Sequence, residues 1–96
     1  MNETTRKEIL SISRTAHELT EVSYQQNISK LGDSGWSEKQ RILLADMALH
    51  LLQTALKDGD LSVEGLKRNL FSILTISDQF IQDADLKTFA QELYSS

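Results

Sequence analysis

Two histidines are the side chains of this 96-residue sequence best suited to metal binding or acid–base chemistry. His17 stands four residues before Glu21, and His50 stands four residues after Asp46, so in a helix each pair shares a face. Zinc sites in proteins usually have at least three protein ligands, and the sequence implies no third ligand for either pair. We therefore interpret both histidines as surface or helix-packing residues, and we predict no metal site and no cofactor.

Other catalytic motifs are also missing from the sequence. There is no cysteine, which excludes a thiolate nucleophile, a disulfide framework and cysteine-ligated zinc. No serine lies in a nucleophile elbow, and no glycine-rich loop could hold a phosphate. His17 and Glu18 begin like the zincin motif, but Glu21 occupies the place of its second histidine. We predict a non-enzymatic protein with no catalytic residues.

The charge balance argues against nucleic acids and anionic membranes as partners. Ten basic and fourteen acidic residues give a net charge of -4. The stretch 51–74 has the outline of a helix-turn-helix, with Lys67 and Arg68 early in its second helix. Asp58 and Asp60 would lie near the phosphates and repel them. We keep Lys67 and Arg68 as nucleic-acid contacts for an alternative function only.

The composition favours helices and a single domain. The chain has no proline and four glycines, leucine is its commonest residue, and strict apolar–polar alternation is absent. Apolar residues make up 40% of the chain and charged residues 25%, which is typical of one small globular domain. We predict that residues 1–96 form one all-α domain, a compact antiparallel four-helix bundle with a long first helix.

Capping motifs and apolar periodicity place the first two helices. Thr5 and Glu8 form a capping box that predicts the start of the first helix, which continues to residue 31 or bends near residue 25. Ser37 predicts the start of the second helix, which ends at residues 57–59. The second helix is apolar over more than one face, so we expect it at the centre of the bundle.

The same signals place the last two helices. The third helix starts at Asp60 or Ser62, and it either runs on to Ile81 or breaks near Asp78. A short fourth helix covers about residues 84–94.

Neither end of the chain nor its interior resembles a targeting or membrane segment. The N-terminus is polar with mixed charges, unlike a secretory signal peptide. The longest unbroken apolar run, Ile42–Ala45, is far shorter than the roughly 20 residues that span a bilayer. We expect a soluble, cytoplasmic protein.

Exposed aromatic and apolar side chains are the candidate partner contacts. Trp36 precedes the second helix and either covers its N-terminus or anchors a partner, and Tyr94 poses the same choice near Phe89. Tyr24 and Ile28 point away from the apolar stripe of the first helix. We predict that these five residues bind another protein of unknown identity, and that a two-fold homodimer forms through the first helix.

Four segments resemble small helical immunity proteins, which protect lactic-acid bacteria and streptococci from their own bacteriocins. They are Ile42–Leu56, the turn Asp58-Gly59-Asp60, Leu66–Leu74 and Leu86 to Tyr94, about half of the chain. This family often has a proline before its last helix, and this chain has none. The resemblance implies a cytoplasmic protein that acts through partner contacts near its C-terminal end.

The turn at Gly59-Asp60 is also similar to that of small enterobacterial regulators of biofilm formation and acid resistance, which dimerise. We therefore predict a bacterial protein that acts by protein–protein interaction, of inhibitor, immunity or adaptor type. The alternative is a dimeric regulator of gene expression, biofilm formation or stress response that contacts DNA or a transcription factor.

Overall fold

The computed structural model describes residues 1–95, and these residues form four α-helices without a strand. The helices are α1 (Glu3–Gln26), α2 (Trp36–Leu56), α3 (Val63–Ser77) and α4 (Leu86–Ser95). The predicted all-α class is confirmed. No helix in this part of the chain is long and apolar enough to cross a membrane.

Each helix contacts only its neighbours in the chain. Among residues 1–95, α1 contacts α2, α2 contacts α3 and α3 contacts α4, and no other helices touch. The Arg6 side chain donates a 2.8 Å hydrogen bond to the carbonyl of Leu56, so the end of α2 lies beside the beginning of α1. The Gln79 side chain likewise donates to that of Gln40, near the start of α2, over 2.9 Å. The helices therefore follow one another side by side.

This arrangement gives an open layer. The chain measures 45 × 35 × 16 Å, so its shortest dimension is less than half of either of the others. The radius of gyration is 15.1 Å, against about 12–13 Å for a compact domain of this length. The compactness that we predict from the sequence is not confirmed for the single chain, because α2 contacts α1 and α3 while α1 never reaches α3 or α4.

The first helix begins earlier and ends earlier than its sequence pattern predicts. Asn2 is the N-cap, and its side chain accepts a 2.8 Å hydrogen bond from the backbone N–H of Thr5. The prediction that Thr5 starts the helix is therefore wrong. The helix ends at Gln26, which agrees with a break near residue 25 rather than continuation to residue 31. Beyond it, the Asn27 side chain donates to the carbonyl of Gly35 and closes the turn into α2.

Ser37 does not cap α2, contrary to the prediction. The helix begins one residue earlier, at Trp36, and Gly35 occupies the cap position without a side-chain hydrogen bond. The backbone N–H of Trp36 donates to the carbonyl of Asp33 over 3.1 Å, so a turn leads directly into the helix. The turn thus places Ser37 within the first turn of α2, beyond the cap position.

The boundaries of α3 and α4 follow local side-chain chemistry. Ser62 caps α3 and accepts a 3.0 Å hydrogen bond from the backbone N–H of Gly65, as one of the two predicted starts requires. The helix ends at Ser77, which confirms the break near Asp78. Asp85 has a positive φ of 51° and precedes α4, where its carboxylate accepts a 2.8 Å hydrogen bond from the Thr88 hydroxyl.

Alanine substitutions at the two predicted cap serines test which of them caps a helix. We expect Ser62→Ala to lower the free energy of unfolding by about 1 kcal/mol, because the N–H of Gly65 loses its acceptor. Ser37→Ala, which removes no cap hydrogen bond, should change it by less than about 0.5 kcal/mol. Urea unfolding followed by circular dichroism measures both, and equal losses would contradict the assignment.

Candidate functional site

The two histidine pairs of the sequence meet in one cluster where α1 contacts α2. His17 projects from α1, and Asp46 and His50 project from successive turns of α2. Their ligand atoms all lie within 4.8 Å of one another. The third ligand that neither pair has alone is thus supplied by the other helix. We call these three residues the His–Asp cluster.

The carboxylate of Asp46 is the centre of this cluster. Its Oδ1 atom lies 2.5 Å from Nδ1 of His17 and accepts a 2.6 Å hydrogen bond from the hydroxyl of Thr20. Its Oδ2 atom lies 3.4 Å from Nε2 of His50. Asp46 is only 7% exposed, so its charge is compensated by these groups rather than by water. The carboxylate therefore joins side chains from both helices.

The imidazole rings are accessible on the outer side of the cluster. The centroids of the His17 and His50 rings are 4.7 Å apart and the rings meet edge to face. Nε2 of His17 also lies 3.5 Å from a carboxylate oxygen of Glu21, which is exposed. The site thus combines two partly exposed imidazoles, one buried carboxylate and one exposed carboxylate, a donor set that could hold a transition-metal ion.

The sequence contains a signal for this cluster that the separate i, i+4 pairs do not reveal. A short turn between two long helices brings the second back along the first. Residue 17 then faces the region of residues 46–50 on the other side of the turn. If the two helices are treated as one antiparallel hairpin, the sequence itself indicates the third ligand.

The structure divides the five predicted partner contacts between two places. Tyr24, Ile28 and Trp36 lie around the turn between α1 and α2, and Phe89 and Tyr94 lie on α4, which touches neither of those helices. The structure therefore does not bring them into one surface.

Their exposure also differs widely. Ile28 is 87% and Phe89 63% exposed. Trp36 is half-buried and lines a cleft with side chains from the preceding loop and the end of α3. Tyr24 is half-buried, with the Lys39 ammonium 4.8 Å from its ring centroid. The ring of Tyr94, which is half exposed, lies 5.0 Å from that of Phe71.

The two residues of the nucleic-acid alternative differ in exposure. Lys67 is half-buried on α3, and Arg68 is exposed. Arg68 lines a cleft together with Lys57, Asp58 and Asp60, so two acidic side chains offset the two basic ones that a phosphate would approach.

A second feature, on the same two helices, is a pair of matching apolar stripes. Four residues of α1 recur at intervals of three, four and three positions, and so do four residues of α2. The α1 stripe comprises Ile9, Ile12, Ala16 and Leu19, and the α2 stripe comprises Ile42, Ala45, Leu49 and Leu52. Each set falls within about 80° of its helix circumference, and together they line two clefts between α1 and α2. We call this surface the α1–α2 apolar face.

The exposure of the α1–α2 apolar face is high for side chains of this type. Ile12 is 63% exposed and Leu19 is 66% exposed, whereas the α2 residues Leu49 and Leu52 are half-buried. The spacing of apolar residues predicts the α1 stripe, but the apolar residues of α2 cover more than one face and predict a helix in the interior of a bundle.

No protein-family model, curated protein or solved structure matches this chain. The resemblance to immunity proteins stays a prediction, and the function has to be argued from the residues described above.

Removing the central carboxylate should weaken the contact between α1 and α2. We expect Asp46→Ala to lower the free energy of unfolding by about 2 kcal/mol, because His17, Thr20 and His50 lose their shared partner. Urea unfolding at neutral pH measures this change. Asp58→Ala, at an exposed position, is the control and should shift the free energy by less than about 0.5 kcal/mol. A similar effect of both substitutions would refute the central role of Asp46.

Proposed function

We propose that this chain is a non-enzymatic helical protein that acts by protein–protein interaction, and that its first partner is a second copy of itself. The α1–α2 apolar face is the surface through which the two copies associate. The observation that carries this proposal is the large amount of apolar surface that the single chain leaves uncovered.

The accessible surface of the chain exceeds that of an ordinary folded monomer. It amounts to 6803 Å², whereas a compact monomer of 10.9 kDa exposes about 5,600 Å². Ile76 and Ala90 are the buried apolar residues of the described chain. The excess of about 1,200 Å² is larger than the roughly 800 Å² that each partner contributes to a stable interface. The chain therefore has enough uncovered surface for a dimer.

The pattern of the α1–α2 apolar face supports a helical partner. Alternating intervals of three and four are the spacing by which helices pack in left-handed bundles. Both α1 and α2 have this spacing on the same side of the layer. Ala16 and Ala45 are the small residues of the two stripes, and they allow close approach of a second pair of helices. A second copy supplies such a pair with the same spacing.

Association through this face also accounts for the predicted architecture. Two copies of the α1–α2 pair, placed face to face, form a compact antiparallel four-helix bundle with the eight stripe residues of each copy inside. The bundle that the sequence pattern predicts within one chain is then completed between two chains. The predicted homodimer through the first helix is thereby extended to include α2.

Towards a different protein, this chain would act as an inhibitor, an immunity protein or an adaptor. The resemblance to immunity proteins places the contacts near the C-terminal end. There Phe89 is exposed on α4, outside the α1–α2 apolar face.

The oligomeric state in solution tests this proposal directly. Light scattering on a size-exclusion column should give about twice the chain mass of 10.9 kDa at micromolar concentration. Ile12→Glu should give a monomer with unchanged helicity, because Ile12 is 63% exposed in the single chain and becomes buried only in the dimer.

A substitution of the same kind outside the face provides the control. Val63 is 59% exposed at the start of α3, so Val63→Glu should leave the dimer intact. A monomeric wild-type protein at high micromolar concentration would refute the self-association. Loss of the dimer in both variants would show that the α1–α2 apolar face is not the interface.

A further inference from the structure

We propose that the His–Asp cluster is a binding site for a divalent transition-metal ion of the Zn²⁺ type, with His17, Asp46 and His50 as its ligands. The site holds α1 to α2 through a metal ion that takes ligands from both helices. This inference goes beyond the proposed self-association and rests on different residues.

The separations between the side chains suit a zinc ion. Zn²⁺ binds histidine nitrogen and carboxylate oxygen at about 2.0–2.2 Å, which places tetrahedral ligand atoms about 3.3–3.5 Å apart. Nε2 of His50 and Oδ2 of Asp46 are already 3.4 Å apart. All three ligand atoms lie within 4.8 Å of one another. Nδ1 of His17 and Oδ1 of Asp46 are 2.5 Å apart, so a metal ion would replace the direct contact between these two side chains.

The electrostatics of the cluster favour a cation at its centre. Asp46 is buried, and within residues 1–95 its ion-pair partners are the two histidines, with no lysine or arginine among them. The carboxylate of Asp46 is largely removed from water, and a divalent ion between the three groups places positive charge beside it. The hydroxyl of Thr20 donates to Oδ1 of Asp46 and orients the carboxylate, as outer hydrogen bonds do in metal sites.

The donor set also selects the class of metal. Two imidazole nitrogens and one carboxylate suit Zn²⁺ and related transition metals, whereas Ca²⁺ and Mg²⁺ require oxygen ligands. The side chains of His17 and His50 are 26% and 40% exposed, so an ion can reach them from solvent. A fourth ligand can come from water or from Glu21, whose carboxylate lies 3.5 Å from Nε2 of His17.

The metal site is separate from the α1–α2 apolar face. Around α1, His17 lies about 120° from the centre of the apolar stripe. On the circumference of α1, Thr20 lies between His17 and the apolar stripe, and its hydroxyl donates a hydrogen bond to Asp46 of α2. The cluster and the α1–α2 apolar face are therefore on opposite sides of the contact between the helices. Zinc binding can thus succeed or fail independently of dimerisation.

Calorimetric titration of the metal-free full chain with ZnCl₂ tests the proposal. We expect one Zn²⁺ per chain with a dissociation constant in the micromolar range or below. At a hundredfold excess over that constant, the melting temperature should rise by more than about 5 °C. Titration with Co²⁺ should produce the visible absorption bands of a tetrahedral site with nitrogen and oxygen ligands.

Three variants assign the ligands. His50→Ala and His17→Ala should each weaken Zn²⁺ binding at least tenfold. Removing a group that hydrogen-bonds to a metal ligand typically lowers metal affinity by about tenfold or more, and removing the ligand itself should lower it by at least as much. Thr20→Val retains all three ligands and should weaken binding by a smaller factor. The control is Glu18→Gln, which removes an exposed charge beside His17 without removing a ligand. Circular dichroism at the start of each titration verifies that the variant is folded.

Two results would overturn the proposal. One is a dissociation constant for Zn²⁺ above about 100 µM in the folded wild-type chain, which would indicate adventitious binding only. The other is tight binding that neither histidine substitution changes. The same titration with MgCl₂ should show no binding, and equal affinities for the two metals would contradict the assigned class of ion.

Discussion

The position of α1 depends on one buried carboxylate. Within residues 1–95, α1 contacts no helix except α2, so that single interface holds a quarter of the chain in place. Near its middle, Asp46 is bonded to His17 and Thr20 and lies close to His50. A polar contact of this kind is directional, unlike the contacts between apolar side chains. Together with the hydrogen bond from Arg6 to the carbonyl of Leu56, it sets the register of α1 on α2, and with it the relative positions of the two apolar stripes.

The open layer explains why so few apolar side chains are buried. In a closed bundle each helix packs against two or more others, but here α1 and α4 each have a single helical neighbour in the described chain. Leucine and isoleucine side chains on these helices are consequently covered on one side only. For a chain of this size the stability gained from burial is small. Covering the remaining surface with a second copy would make folding and association one coupled process.

The two proposed properties use opposite sides of the same helix pair. The α1–α2 apolar face requires that the stripes of both helices point the same way, and the His–Asp cluster requires that His17 face Asp46. Both conditions are met by one register of α1 on α2. A metal ion in the cluster would stabilise this register from the side opposite to the α1–α2 apolar face.

Features that depend on neighbouring residues in the chain are predictable from the sequence. The all-α class follows from the absence of proline and the helical spacing of apolar residues, and the cap at Ser62 and the break near Asp78 follow from local hydrogen bonding. Asn2 caps the first helix in place of Thr5, three positions later, and spacing alone does not resolve which of these two cap residues is used.

Which helices meet, and in what register, follows from the packing of the folded chain. It joined His17 to the pair of Asp46 and His50, and it left the apolar side of α1 uncovered. Neither result can be read from an i, i+4 pattern, because that pattern describes one helix surface and contains no information about the helix that packs against it.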